Sequence, residues 1–146
     1  MGSSFTEYRG SGFWSRDTKI ELWLYLLSQE VQRLEAPPAW LRAAAEHWHI
    51  QATAGMNGCV CAELDTHAPN PERAAMVLEL AETALAGLRA RGEILSVAWL
   101  NELGLGGPDD YFTKDVPTAV FTPVGEALVQ LLRGEITWDA ARSPVL

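Results

Sequence analysis

Residues 12–35 constrain the fold of this chain more than any other stretch, because their apolar side chains recur with the period of an α-helix. The apolar positions share one helical face: Ile20, Trp23, Leu24, Leu27, Val31 and Leu34. A face this wide needs more than one neighbour, so we predict a central helix that is contacted from two or more sides. Thr18 and Glu21 have the spacing of a capping box, and Asp17 is a rival N-cap, so the helix is expected to begin here.

Further helices are predicted from apolar residues at helical spacing between proline and glycine signals. Pro38 opens the second helix, whose apolar face is rich in small residues: Leu41, Ala44, Ala45, Trp48 and Ala52. An Asn-Pro pair opens the third helix at residues 70–71, and a Thr-Pro pair opens the last at residues 122–123. Gly92 and Gly134 end these two helices.

The fold expected from these helices is a single all-α domain, residues 1–146, with about five helices around the first. Residues 1–14 are interpreted as an ordered lead-in pinned by its aromatic side chains, and residues 139–146 as a flexible tail. For two stretches the sequence does not decide between helix and strand. Glycines interrupt the helical pattern in residues 53–69. Residues 93–103 favour a helix by their length, although their first residues have β-propensity.

The charge balance excludes some classes of partner. The formal net charge is −8, and the chain has two lysines and nine scattered arginines. Binding to nucleic-acid phosphates needs clustered cations, so we expect no nucleic-acid partner. No apolar run approaches the ~20 residues of a membrane span, so no membrane association is expected either. An acidic surface speeds association with a basic protein, although net charge also serves solubility alone.

Five side chains that bind soft metal ions lie between residues 47 and 67: His47, His49, Cys59, Cys61 and His67. Their spacing argues against a zinc site, because histidines two positions apart on a helix point roughly 200° away from each other. Cysteines separated by one residue also do not match structural zinc motifs. We therefore expect no metal site and no cofactor, with small buried cysteines and histidines along a helix flank. The alternative is a small ligand- or metal-binding domain, with or without enzymatic activity, centred on residues 47–67.

Catalytic motifs and disulfide frameworks are not recognisable in the sequence. The patterns G-x-S-x-G, H-E-x-x-H and the P-loop are absent, so catalysis is not expected. Two cysteines are too few for a secreted disulfide scaffold, which favours a reducing, cytoplasmic compartment.

The irregular residues 104–121 are the candidate contact surface, since long irregular connections in compact domains are often functional. Carboxylates and aromatic rings lie together in this stretch: Asp109, Asp110, Tyr111, Phe112 and Asp115. Aromatic residues are enriched at interface centres, and carboxylates steer basic partners. We interpret these five residues as partner-binding. The alternative is a solvated turn with both aromatic rings in the core.

Residues 12–17 (GFWSRD) precede a leucine-rich helix, and residues 122–134 open with TPVG and close with LRG. These two segments resemble small bacterial proteins, some of which are similar to immunity proteins of polymorphic toxin systems. The resemblance implies a cytoplasmic inhibitor without catalysis that uses an acidic surface against a basic toxin domain, and it carries over no functional residue. We therefore expect a non-enzymatic binding protein with a basic protein partner.

Overall fold

The computed structural model describes residues 2–146, which form helices and short strands. Their order is β1 (Ser3–Tyr8), β2 (Ser11–Arg16), α1 (Asp17–Gln32), α2 (Ala39–Thr53), α3 (Leu64–His67), α4 (Pro71–Ala90), β3 (Ile94–Leu95), α5 (Val97–Glu102), β4 (Val116–Pro117), a 3-10 turn (Thr118–Val120) and α6 (Thr122–Leu132). Helices make up 52% of the chain and strands 12%, so the predicted all-α fold is wrong and the protein is mixed α/β.

The hairpin β1–β2 lies where the sequence predicts only an ordered lead-in. Its strands pair antiparallel from Ser3–Arg16 to Tyr8–Ser11 around a two-residue turn. Both turn residues, Arg9 and Gly10, have positive φ (51° and 80°), as the tight turns of hairpins require. The inward positions of β1 include small polar side chains, so the strand lacks the apolar alternation by which strands are recognised.

The central helix α1 packs against α2, α4 and α6, as its wide apolar face predicts. Its predicted face is buried from Ile20 to Val31, whereas Leu34 lies beyond the helix end and is 40% exposed. The predicted capping is wrong. Arg16 occupies the N-cap position without a side-chain hydrogen bond, and Asp17 is already the first helical residue.

The second half of the chain follows its proline and glycine signals more closely. Asn70 caps α4 by accepting a hydrogen bond from the Arg73 N–H at 2.9 Å. Only the later part of residues 93–103 is helical, because Ile94–Leu95 pair with β4 and form the strand that the sequence leaves as the alternative. Pairing with a distant segment therefore overrides the local helical pattern.

The remaining segments close the fold. For residues 53–69 the sequence does not decide between helix and strand, and the structure forms the single helical turn α3 there. Residues 139–146, for which we expect a flexible tail, lie along β2: the Leu146 N–H donates to the Trp14 carbonyl at 2.9 Å, and the Arg16 N–H donates to the Leu146 carbonyl at 3.3 Å. Within residues 2–146, none of the helices combines the length and apolarity that a bilayer span requires.

Candidate functional site

A cavity of about 290 Å³ opens where the start of α1 meets the loops that follow α2 and α5. We call it the carboxylate cavity, and its lining residues are Gly2, Arg16, Asp17, Thr18, Glu21, Gly55, Asn57, Gly106 and Asp110. Three carboxyl groups and one guanidinium group therefore surround a space that is open to solvent. This excess of carboxyl groups over guanidinium groups attracts cations.

Asp17 is the structural carboxylate of this cavity. It is 6% exposed and accepts hydrogen bonds from the Ser4 hydroxyl at 2.6 Å and the Gly58 N–H at 2.7 Å. The Ser4 hydroxyl in turn accepts from the Val60 N–H at 2.9 Å. Because its position at the start of α1 also favours negative charge, Asp17 is well compensated and ties β1, α1 and residues 58–60 together.

Glu21 lies one turn further along α1 and has no such compensation. It is 4% exposed, and its carboxyl group has no hydrogen bond or ion pair with any residue in 2–146. Burial, together with the nearby charges of Asp17 and Asp110, raises its pKa to about 7. A carboxyl group that belongs to a buried residue, lines a cavity and has no partner within residues 2–146 is the arrangement expected for a group whose partner is a ligand.

Two glycine-containing loops form the opposite wall of the cavity. The Gly106 N–H donates to the Ala52 carbonyl at 2.9 Å, which joins the loop after α5 to the end of α2. Gly106 has φ +75°, and a side chain there would collide with the carboxyl group of Asp110. Glycine at this position therefore leaves room for the Asp110 carboxyl group at the cavity wall.

The predicted contact residues divide into two groups. Asp115 accepts a hydrogen bond from the Val97 N–H at 2.8 Å, and Phe112 is partly buried with its backbone held by the Asn101 side chain at 2.7 and 3.0 Å. These two residues hold the loop in place. The alternative prediction, in which the aromatic rings of this loop lie in the core, therefore applies to Phe112.

The other three predicted residues remain available to a partner. Asp109 is exposed, Asp110 reaches the carboxylate cavity, and Tyr111 is 72% exposed, which is high for a large aromatic side chain. Asp17 and Glu21 are not among the site residues that the sequence predicts. The available signal was a pair of acids four positions apart in the first turns of a helix that is otherwise largely apolar.

The five soft metal ligands of residues 47–67 do not converge as a set. Cys59 and Cys61 are free and exposed, so the expectation that they are buried is wrong. The His49 ring contacts Tyr25, with 5.6 Å between ring centroids. His47 and His67 do meet, although 20 residues separate them.

Comparisons of the chain with protein-family models, with curated proteins and with solved structures found no match.

Proposed function

We propose that this protein is a non-enzymatic binding protein whose carboxylate cavity receives an arginine or lysine side chain from a basic protein partner. The observation that carries the proposal is Glu21, a residue that is 4% exposed overall, lines the cavity and has no hydrogen-bond or ion-pair partner for its carboxyl group within residues 2–146. A buried carboxylate without a cation is unfavourable, and an inserted guanidinium or ammonium group removes that cost.

The size of the cavity favours one side chain over a whole small molecule. Its volume of about 290 Å³ lies at the lower limit of the roughly 300–1,000 Å³ typical of small-molecule pockets. A side chain that protrudes from a protein surface needs less space, and Asp17 and Asp110 supply additional negative charge around it.

The surroundings of the cavity support a protein as the partner. Tyr111 is an exposed aromatic residue next to the cavity residue Asp110, and exposed tyrosines frequently anchor interfaces. Asp109 adds exposed negative charge that would steer a basic surface. An immunity-type inhibitor of a basic toxin domain is the specific form of this function that we propose. We place it in the cytoplasm, where the free thiols of Cys59 and Cys61 remain reduced.

Affinity capture from lysate of the native host tests this proposal, with wild-type protein, Glu21→Gln and Glu79→Gln as baits at low and high salt. Glu79 is the matched control because it is an exposed glutamate in the middle of α4 that forms no ion pair within residues 2–146. We expect one stoichiometric basic protein on wild-type and Glu79→Gln baits at low salt, less of it at high salt, and its loss on Glu21→Gln. Equal capture by all three baits would refute the role of the cavity.

A further inference from the structure

A second cluster of chemically active side chains lies between α2 and α3, and none of its members lines the carboxylate cavity. It consists of His47, Glu63 and His67, which each place one donor atom within 4.8 Å of the other two. His67 Nε2 is 3.2 Å from His47 Nδ1, and Glu63 Oε2 is 3.6 Å from His47 Nε2. The sequence analysis did not include Glu63 among the candidate ligands.

The single turn α3 brings two of these residues together. Glu63 directly precedes α3 and His67 ends it, so they are four positions apart and lie on the same side of the turn. The His67 N–H donates to the Glu63 carbonyl at 3.0 Å, which closes this turn. Glu63 itself has left-handed backbone angles (φ 47°, ψ 45°), an unfavourable conformation for a residue other than glycine.

Trp48 holds the third residue in position. Its indole N–H donates to the Ala62 carbonyl at 2.9 Å, which fixes residues 62–63 against α2. The edge of the same indole ring packs on His67, with 5.6 Å between ring centroids and 76° between planes. Because Trp48 is fully buried, it sets the position of His47, its neighbour on α2, relative to His67.

We propose that His47, Glu63 and His67 bind a divalent transition-metal ion, with zinc as the expected ion. Two imidazoles and one carboxylate are a ligand set of zinc sites that keep one position open. With zinc–nitrogen bonds of about 2.0–2.1 Å, tetrahedral donors lie roughly 3.3 Å apart, and the two histidine nitrogens are separated by 3.2 Å. The Glu63 carboxylate lies nearest the other ring nitrogen of His47, so it has to rotate to complete the site. Its side chain is 46% exposed, which gives it that freedom, and the fourth position is left to water or an anion.

Titration of metal-free protein with Co²⁺ tests this proposal, because tetrahedral Co²⁺ has a characteristic visible absorption and Zn²⁺ displaces it. All proteins carry Cys59→Ser and Cys61→Ser, since exposed thiols bind the same ions. The test variants are His47→Gln and His67→Gln. His49→Gln is the matched control because His49 lies on the same helix but outside the cluster.

We expect one ion per chain in the parent protein and in His49→Gln. Loss of a supporting residue around a metal typically weakens binding 10–100-fold, so loss of a ligand in His47→Gln or His67→Gln should weaken it by about 100-fold or more. Circular dichroism shows whether each variant is folded. If a variant does not fold, the metal ligands can be identified in the parent protein from the ¹⁵N chemical shifts of the histidine rings. Addition of Zn²⁺ should change the shifts of His47 and His67 but not those of His49. Absence of Co²⁺ binding, or equal weakening by His49→Gln, would overturn the proposal and leave a hydrogen-bonded histidine pair.

Discussion

Replacement of Glu21 by glutamine should stabilise the protein at alkaline pH, because it removes from a buried residue a carboxylate that has no partner among residues 2–146. Burial raises the pKa of Glu21 from 4.5 to about 7, so the native state holds this proton more tightly than the unfolded chain does. At pH 4 both states are protonated, and Glu21 costs nothing. As pH rises from 4.5 to 7 the native state loses stability relative to the unfolded state, and above pH 7 the loss is complete.

The size of this effect follows from the shift in pKa. Each pKa unit corresponds to about 1.4 kcal/mol, so the full shift is worth about 3 kcal/mol, and water in the open cavity reduces the expected effect to about 2 kcal/mol. For a domain of this size, 2 kcal/mol raises the melting temperature by about 4–8 °C.

Urea unfolding at pH 4 and pH 8 measures this difference directly. Glu21→Gln should match the wild type at pH 4 and exceed it at pH 8, whereas the exposed control Glu79→Gln should match it at both. If Glu21→Gln were equally stable or less stable at pH 8, Glu21 would have a compensating partner, and the reasoning that leads to the cavity would be refuted.

Three further substitutions test neighbouring parts of the account. Asp17→Ala leaves the buried Ser4 hydroxyl and the partly buried Gly58 N–H without their acceptor, so unfolding free energy should fall by about 2–4 kcal/mol, as measured by urea unfolding. Gly125→Ala in α6 places a methyl group against the Trp23 indole of α1. We expect a loss of about 1–3 kcal/mol in spite of the better helix propensity of alanine, and a smaller or opposite change would show that the indole can move. Charge reversal of Asp109, which is exposed and lies outside the cavity lining, should lower the association rate with the captured partner and its salt dependence more than it raises the dissociation rate. Unchanged association rates in stopped-flow measurements would remove this loop from the binding surface.

The sequence predicts the helices well where a buried face repeats with the helical period. The predicted apolar face of α2 is buried throughout, that of α1 is buried except for Leu34, and the Asn70 cap is observed as a hydrogen bond. Local patterns suffice for these helices because apolar side chains at helical spacing mark the face that becomes buried. The hairpin is missed for the same reason. Its turn is Arg9-Gly10, which is not a recognised hairpin pair, and its inward residues include Ser4 and Thr6.

The candidate sites depend on contacts between distant segments, which a single sequence does not give. Periodicity places Glu21 outside the predicted apolar face of α1, and only the structure brings it to a cavity shared with the loops at Gly55 and Gly106. Likewise, His47 and His67 meet only because α3 turns back toward α2. In the contact loop, sequence composition identifies the acidic and aromatic residues, whereas only the structure distinguishes the supporting Asp115 from the exposed Tyr111.

Binding of an isolated arginine side chain to the carboxylate cavity tests the central claim most directly. The probe is N-acetyl-arginine amide at 10 mM, and the uncharged citrulline analogue is its matched control. With a dissociation constant of about 1 mM, the arginine probe would stabilise the protein by about 1.4 kcal/mol, or about 3–5 °C in melting temperature. We expect the arginine probe to raise the melting temperature by this amount at pH 8, where Glu21 is ionised, and by less at pH 5.5. We expect no increase with the citrulline probe, and none with the Glu21→Gln variant. Equal shifts for arginine and citrulline, or an arginine shift that persists in Glu21→Gln, would contradict it.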